Sequence, residues 1–344
     1  RLAHSQIITT NSTDQFVDRQ EVSYLLYDQF GNSIDQTVER YTDTDSLIDY
    51  KVIHNEYADP VAAKRGNATH TTINRYASKD TLDATTRIER QEIYNNSFDK
   101  IGNVVDQTTE LYVQEKLSRK TVIHNSNISN RGDSGNQEIT TYSTNDEGTL
   151  ISVEVSYQLI TNRLFDSDRN VKNQRVATYS DSSANRVLLE TQEVRNLAYD
   201  TRGNVKSQII ATYSEKGDLL DVKVITNDNI DALGNVGNTT IKKYKSGSIA
   251  GTDHDGDITY SDFVDTTVIT TDRFDDFGNA LHQTVEKYTD ETLTPQSKAV
   301  EKQDITNTGF DNKGRAGYST IKTTNSKGEF VDIQKIGYIK YDKF

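Results

Sequence analysis

The sequence contains no cysteine, no methionine and no tryptophan. Without cysteine the chain can form no disulfide, no thiol nucleophile and no cysteine-ligated metal site, although this absence does not fix the cellular compartment. Without methionine the initiator residue is missing. We therefore expect the chain to be processed or to be a segment of a longer protein.

Apolar residues and positive charge are also scarce. Hydrophobic residues make up 33% of the 344 residues, and the formal net charge is −13. The acidic balance argues against nucleic acid or an anionic membrane as a partner. No apolar run approaches the roughly 20 residues that a membrane-spanning helix needs, and no signal peptide is in view. The many Thr, Tyr, Val and Ile residues favour strands over disorder.

One phrase, D-x-x-G-N, returns along the chain, and its cleanest form is FDDFGN at Phe274–Asn279. Taking its glycine as position zero gives about nine copies with steps of 30 to 44 residues and a period near 35. Repetition of this length is typical of repeat architectures. The residues at position zero are Gly31, Gly66, Gly102, Gly132, Arg169, Gly203, Gly234, Gly278 and Gly314.

Fixed columns accompany each copy. Position −9 is Val or Ile in all copies but the second, which carries extra residues around Pro60. Position −7 is often Asn, −4 is often aromatic, +5 is Gln or a small polar residue, +7 is usually Val or Ile, and +10 is Tyr in all copies but the last. The copy around Gly203 shows the complete set: Val194, Asn196, Tyr199, Gln208, Ile210 and Tyr213. The segment between copies varies in length, as expected of a surface loop.

The constant block predicts a β-hairpin. A three-residue loop that ends in Gly fits a type I turn followed by a left-handed residue, and the preceding Asp can accept backbone N–H groups. This turn sets position −7 opposite +5 and position −9 opposite +7. The amide and aliphatic pairs should then share one face of the sheet, and the aromatic residue at −4 should share the other face with the Tyr at +10.

The predicted fold is therefore all-β, a tandem array of β-hairpins with about twenty strands and no significant helix. We expect one continuous array over residues 1–344, with an inserted loop at 245–266. The array could form an extended or spiral sheet or a β-solenoid-like stack. The pattern leaves open whether neighbouring repeats join as an antiparallel meander or as parallel rungs.

Both ends of the sequence match half a copy. Gln6 and Ile8 take positions +5 and +7, while Ile336, Tyr341 and Asp342 take positions −9, −4 and −3. This pattern indicates a segment of a longer array. Atypical terminal repeats that act as caps are the alternative.

The turn motif resembles the YD repeats of the Rhs family. The stretches YDTRGNV at Tyr199–Val205 and FDNKGRA at Phe310–Ala316 carry the resemblance, although the period here is longer than the usual YD unit. The resemblance implies a spiralling β-sheet strip on a secreted or surface protein, often a shell around a toxin. No toxin domain or self-cleaving segment is visible in this sequence.

One acidic stretch, GTDHDGDITYSD at Gly251–Asp262, stands apart from the repeat. In a twelve-residue calcium loop, ligands fall at alternating positions and a Gly at the sixth position permits the sharp turn. The candidate Ca²⁺ ligands are Asp253, Asp255, Asp257 and Asp262. Gly251 stands where the first Asp ligand belongs, and Asp262 replaces the usual Glu. The alternative is an acidic, solvated loop tip.

The other candidate groups favour structural roles. Two of the six histidines, His54 and His124, occupy the same repeat column, which is more typical of strand surface than of a ligand set. The amide columns can form hydrogen-bonded ladders along the array. No nucleophile elbow, P-loop or HExxH motif occurs, so we expect no enzyme.

The sequence thus predicts a structural β-repeat protein, extracellular or on the cell surface, that forms a fibre, stalk or filament by docking of its hairpins. Its partners would be further repeats of the chain or copies of itself. An adhesin whose variable loops bind glycan or protein is the alternative, and an Rhs-like shell around a cargo is a third interpretation. Calcium at the acidic loop is the only cofactor that the sequence suggests.

Overall fold

A computed structural model describes residues 2–10, 16–145, 147–251 and 253–338. The chain is all-β, as the repeat pattern predicted, and its twenty strands belong to an antiparallel sheet. The strands are β1 His4–Thr10, β2 Phe16–Tyr27, β3 Ser33–Tyr41, β4 Leu47–Glu56, β5 His70–Tyr76, β6 Arg87–Phe98, β7 Val104–Val113, β8 Lys116–Ile128, β9 Ser134–Thr144, β10 Leu150–Phe165, β11 Val171–Tyr179, β12 Leu188–Tyr199, β13 Val205–Ser214, β14 Leu219–Ile230, β15 Val236–Ile249, β16 Ile258–Phe274, β17 Ala280–Tyr288, β18 Glu301–Thr308, β19 Tyr318–Asn325 and β20 Phe330–Gly337.

The described residues form two compact units. The first contains residues 2–160 and 179–187, and the second contains 161–178 and 188–338. In the first unit β1 to β9 pair in chain order, and in the second unit β12 to β20 do the same. Each unit is therefore an antiparallel meander, which resolves the alternative that the sequence left open.

The register within each hairpin is the predicted one. In the third copy Asn95 faces Gln107 and Ile93 faces Thr109. The copy around Gly203 repeats these pairings, with Asn196 opposite Gln208 and Val194 opposite Ile210. The same turn thus sets the same alignment in both units.

Two compensating irregularities lie between the turn and these pairs. In the third copy Ser97 faces Asp106 and Phe98 faces Val104, so each strand carries one extra residue near the turn. Bulges of this kind redirect side chains without changing the alignment farther along the strands. Sequence counting could not detect them because they cancel in the overall register.

The only described α-helix is one short turn, Pro60–Ala63, in the copy that carries extra residues before its glycine. Asp59 caps it by accepting the N–H groups of Val61 and Ala62 at 2.8 and 2.7 Å. Ala62 and Ala63 are buried. This helical turn accommodates the extra residues without disturbing the strands on either side.

A second turn at the opposite end of the strands was not foreseen from the sequence. In Ser214–Asp218 the N–H of Gly217 donates to the carbonyl of Ser214 at 3.0 Å, and the N–H of Ser214 donates to the carbonyl of Asp218 at 2.9 Å. The same two bonds close turns at 42–46, 145–149 and 325–329. Its residue types vary between copies, which is why the pattern did not reveal it.

Most of the predicted inserted loop at 245–266 is an extension of the hairpin formed by β15 and β16. Residues up to Ile249 continue β15 and residues from Ile258 begin β16, so only 250–257 connects the two strands. The extension contributes Ile258 to an apolar cluster with Ala211, Val222 and Tyr244, and its Ile249 packs against this cluster. A Cβ on Gly247 would lie 2.7 Å from Val222, so glycine is needed for this close approach.

The first half-copy is aligned one residue away from the sequence prediction. Between neighbouring copies, position +5 faces position −9 of the next copy, as Gln208 faces Ile225. Ser5 faces Val22 and Ile7 faces Gln20, so Ser5 and Ile7 take positions +5 and +7 in place of Gln6 and Ile8. At the other end Ile336 faces Ser319, as position −9 requires. Tyr341 and Asp342 lie outside the described residues.

Candidate functional site

Six of the repeat turns are closed by their own Asp and Asn side chains, those that begin at Asp28, Asp99, Asp166, Asp200, Asp231 and Asp275. Asp99 Oδ1 accepts the N–H groups of Ile101 and Asn103 at 2.9 Å, and its Oδ2 accepts Asn103 Nδ2 at 2.8 Å. Burial raises the pKa of the Asp99 carboxyl, but the hydrogen bonds from Asn103, Ile101 and Gly102 outweigh burial and hold that pKa below its ordinary value. The turn therefore favours the ionised carboxylate.

The Asn that closes one turn also contacts the turn of the next copy. Asn32 Nδ2 donates to the carbonyl of Ala63 at 2.6 Å, and Asn67 Nδ2 donates to the carbonyl of Gly102 at 2.6 Å. In the second unit the Asn235 and Asn279 side chains approach the glycine of the following turn. We call this series of contacts, from position +1 of one copy to the next turn, the turn ladder.

The amide columns at −7 and +5 meet as predicted and also reach the preceding copy. Gln107 Nε2 donates to Asn95 Oδ1 at 2.8 Å, and Asn95 Nδ2 donates to the carbonyl of Ala68 at 2.7 Å. In the fourth copy Gln137 Nε2 donates to Asn125 Oδ1 at 2.9 Å. Asn125 Nδ2 also donates to the carbonyl of Val104 at 3.3 Å. Asn95 and Asn125 therefore each connect their own hairpin to the hairpin before it.

The aromatic residue at −4 lies on the amide side, and the prediction that placed it on the opposite face was wrong. Asn196 Nδ2 and the Tyr199 hydroxyl both donate to the carbonyl of Val171. The bulge between positions −7 and −4 causes this reversal, because it shifts the alternation of side chains by one residue.

A column of alternating charges runs across neighbouring strands and was missed in the sequence. In the first unit Arg40 Nε lies 3.5 Å from Asp18 Oδ2 and 3.9 Å from Asp49 Oδ1, and both carboxylates are completely buried. In the second unit Lys243 Nζ lies 3.2 Å from Asp221 Oδ2. Positions −13 and +9, compared between copies, carry the signal that would have revealed it.

Histidines pair with carboxylates across strands. His54 Nδ1 and His124 Nδ1 lie 2.6 Å from Oδ1 of Asp35 and Asp106, in equivalent places. His282 bridges two strands, with Nδ1 2.7 Å from Asp272 Oδ1 and Nε2 3.3 Å from Asp304 Oδ2. The hydrogen bond with Asp272 raises the pKa of His282 above its ordinary value, despite the opposing effect of burial.

The candidate calcium residues do not converge on one point. Asp253, Asp255 and Asp257 lie in the connection between β15 and β16, whereas Asp262 lies within β16 and accepts the Ser246 hydroxyl at 2.5 Å. Among the described residues, no three His, Asp or Glu side chains form a group that could hold a metal ion. Calcium binding by these residues stays a prediction.

Arginine and asparagine side chains instead hold the main chain of the connection. Arg163 Nη2 donates to the carbonyl of Asp253 at 3.0 Å, and Asn173 Nδ2 donates to the carbonyl of Asp255 at 2.7 Å. Arg195 donates to the carbonyls of His254 and Gly256 at 2.6 and 2.9 Å. Nothing in the repeat pattern pointed to these donors, because they are unique to their copies.

The Glu193 carboxylate lies on the sheet side of the Arg163 and Arg195 guanidinium groups and pairs with both. Its side chain is 1% exposed and accepts both Nη atoms of Arg163, at 2.7 and 3.2 Å. Arg195 Nη1 lies 3.4 Å from the same carboxylate. Arg175 Nε also lies 3.9 Å from Glu193 Oε1. The buried carboxylate thus holds Arg163 and Arg195 in place for contact with the connection above them.

Comparison with known proteins gave no match, so a function has to be argued from the fold and these contacts. No protein-family model matches the chain, and no curated protein is significantly similar to it. In the part of the chain that the structure describes, no helix has the length and apolar character needed to cross a membrane.

Proposed function

We propose that the chain is a structural β-repeat protein, outside the cytoplasm or on the cell surface, that builds a fibre, stalk or filament. The turn ladder carries the proposal. Asn32 and Asn67 make the same kind of contact with the turn of the next copy, at 2.6 Å in both cases. Because one contact serves successive copies, adding copies lengthens the array without new chemistry.

The charge of the chain is consistent with such a role. A net charge of −13 keeps an extended protein soluble and opposes lateral association. The resemblance of YDTRGNV at Tyr199–Val205 to YD repeats supports a location outside the cytoplasm. The proposed partners are further repeats or other copies of the chain, and the proposal includes no catalytic step.

Removal of one complete copy tests the proposal. Deleting residues 103–132 joins Gly102 to Asp133, which keeps the order of turn positions. We expect the shortened chain to fold, with a smaller maximum dimension in X-ray scattering and a lower enthalpy of unfolding. Failure of the shortened chain to fold, when the full chain folds, would contradict an additive array.

Electron microscopy of native material separates the structural role from its alternatives. Extended filaments would support the proposal, and closed hollow particles would favour an Rhs-like shell. Binding of the isolated chain to a glycan array would favour an adhesin. Labelling of intact cells with an antibody against the chain tests the proposed location.

Calcium binding is a separate proposal that rests on the sequence of the acidic connection. Calorimetric titration with Ca²⁺ tests it, with Asp255→Asn and Asp257→Asn as the variants. Saturable binding that both substitutions weaken would support the site. Absence of binding at millimolar Ca²⁺ would contradict the proposed calcium site.

A further inference from the structure

The five residues 253–257, which we call the strap, are held on the sheet through their backbone. Four consecutive carbonyls, those of Asp253, His254, Asp255 and Gly256, accept hydrogen bonds from Arg163, Asn173 or Arg195. The donors come from β10, β11 and β12. The strap therefore crosses three strands and is recognised by its main chain.

The strap buries little apolar surface. The side chains of Asp253, His254, Asp255 and Asp257 are exposed. The His254 ring lies parallel to the Tyr213 ring, with centroids 6.2 Å apart. Segments with few apolar contacts open at a lower free energy than the fold as a whole. Polar contacts with the sheet thus keep the strap closed.

The surface beneath the strap is a built site. With the strap in place Arg195 is 5% exposed and Asn173 is 8% exposed. Arg163 Nη1 donates to Asn173 Oδ1 at 3.2 Å, and Arg195 Nη1 donates to the buried Glu193 at 3.4 Å. The Asp253 and Asp255 carboxylates interact favourably with Arg163, and Asp257 does so with Arg195. Guanidinium and amide donors in this arrangement suit an acidic peptide, because they bind backbone carbonyls while their charge attracts the carboxylates.

We propose that Arg163, Asn173 and Arg195 form a binding site for an acidic peptide segment, and that the strap occupies this site as a ligand built into the chain. Opening of the strap frees the site for an acidic segment of another molecule. The closed strap therefore acts as an autoinhibitory contact.

The first test measures strap opening. Arg195→Gln removes the donors to His254 and Gly256. Cleavage by a protease specific for Asp in the strap should become at least tenfold faster, measured well below the melting temperature of each variant so that global unfolding does not supply the cleaved form. Arg202→Gln is the matched control, because Arg202 contacts Asp200 and the carbonyl of Ile230 and does not contact the strap. Equal cleavage rates in wild type and Arg195→Gln would overturn the proposal.

The second test uses a peptide probe. A labelled synthetic peptide of residues 250–257 should bind saturably to a variant that lacks residues 253–256, and should bind the intact chain at least tenfold more weakly. Adding Arg195→Gln to the deletion should weaken binding at least tenfold. Absence of saturable binding to a deletion variant with a native circular dichroism spectrum would overturn the proposal, as would binding that is unaffected by Arg195→Gln. A peptide with Asn in place of Asp should bind more weakly, which separates acidic recognition from backbone recognition.

Discussion

The side-chain oxygen of Asn279 lies 2.6 Å from the place where a Cβ would sit on Gly314, one repeat further along the chain. Gly314 also has a positive φ of 74°. Two observations thus favour glycine at this position. The positive φ allows the turn of its own copy to close, and the missing side chain leaves room for Asn279 of the copy before it.

Gly314→Ala should lower the stability of the protein more than a turn substitution outside the turn ladder. The positive φ alone costs an alanine about 1–2 kcal/mol. The contact with Asn279 should add about 0.5–1.5 kcal/mol, because the Asn279 side chain can move away only by weakening its 2.9 Å hydrogen bond to Asp275. Urea denaturation measures the difference in the free energy of unfolding.

Gly217→Ala is the matched control for this prediction. Gly217 has a φ of 84°, and nothing lies within 4 Å of its missing Cβ. We expect this variant to lose only the contribution from φ. Equal losses in the two variants would show that the turn ladder adds no constraint at Gly314.

Arg40→Met should destabilise the first unit strongly. The substitution leaves Asp18 and Asp49 as completely buried carboxylates without their shared guanidinium group. Removing one partner of a buried ion pair typically costs about 3–5 kcal/mol. Thermal and urea unfolding at pH 7 measure the loss.

Two further variants separate burial from charge number. Lys302→Met removes a pair with Glu286 in which the lysine side chain is 47% exposed, so the loss should be about 0–1 kcal/mol. Replacing Asp18, Arg40 and Asp49 together with apolar residues should restore much of the stability that Arg40→Met loses. A mild effect of Arg40→Met would argue against a buried ionic column.

Asp200→Asn should remove part of the dependence of stability on acidic pH. Burial raises the pKa of the Asp200 carboxyl, but hydrogen bonds from Asn204 and Arg202 hold it below the ordinary value. Because the folded-state pKa is lowered, the contribution is present above the unfolded pKa of about 4 and is lost as pH falls through the folded pKa. We expect wild type and variant to differ in urea midpoint at pH 7, and we expect this difference to shrink as pH falls below about 4.

Asp43→Asn provides the comparison for this pH effect. Asp43 is an exposed residue of the turn at 42–46. Its substitution should leave the urea midpoint nearly unchanged at pH 7, because the side chain is exposed. A difference between wild type and Asp200→Asn that persists undiminished at pH 2 would show that the carboxylate charge is not its source.

The repeat columns predicted the hairpins well, because the register of each hairpin depends on residues that are close in sequence. The D-x-x-G-N turn fixed the opposition of Asn95 with Gln107, and the structure has that pairing. The side of Tyr199 could not be predicted, since paired bulges change the alternation without changing the register. The wrong alignment of Gln6 has another cause, because β1 has no described turn of its own to set its register.

The strap site was beyond the reach of the repeat pattern. Arg163 and Arg195 meet residues 253–256, far along the chain, and neither arginine belongs to a column. The Asp residues of Gly251–Asp262 suggested a cation-binding loop. In the structure, the backbone carbonyls of the strap accept hydrogen bonds from guanidinium groups. A sequence motif describes side chains only, so it could not predict hydrogen bonds to the backbone carbonyls of the strap.

His282→Gln should reduce stability at mildly acidic pH and have less effect at alkaline pH. His282 faces Asp272 from β16 and Asp304 from β18, and its direct strand neighbours are Arg273 and Thr306. The hydrogen bond with Asp272 raises its pKa. A raised folded-state pKa gives a contribution that is fully present below the unfolded pKa of about 6.5 and is lost as pH rises through the folded value.

Titration of the His282 ring by nuclear magnetic resonance checks this cause directly. In wild type the midpoint should lie above that of a histidine in an unfolded peptide, and in Asp272→Asn it should move down towards that reference. The urea midpoint of wild type should then fall between pH 6 and pH 9 more than that of His282→Gln. A ring that titrates at the reference value would show that the two flanking carboxylates do not stabilise the charged imidazolium, and the pH dependence of the array would have to come from other groups.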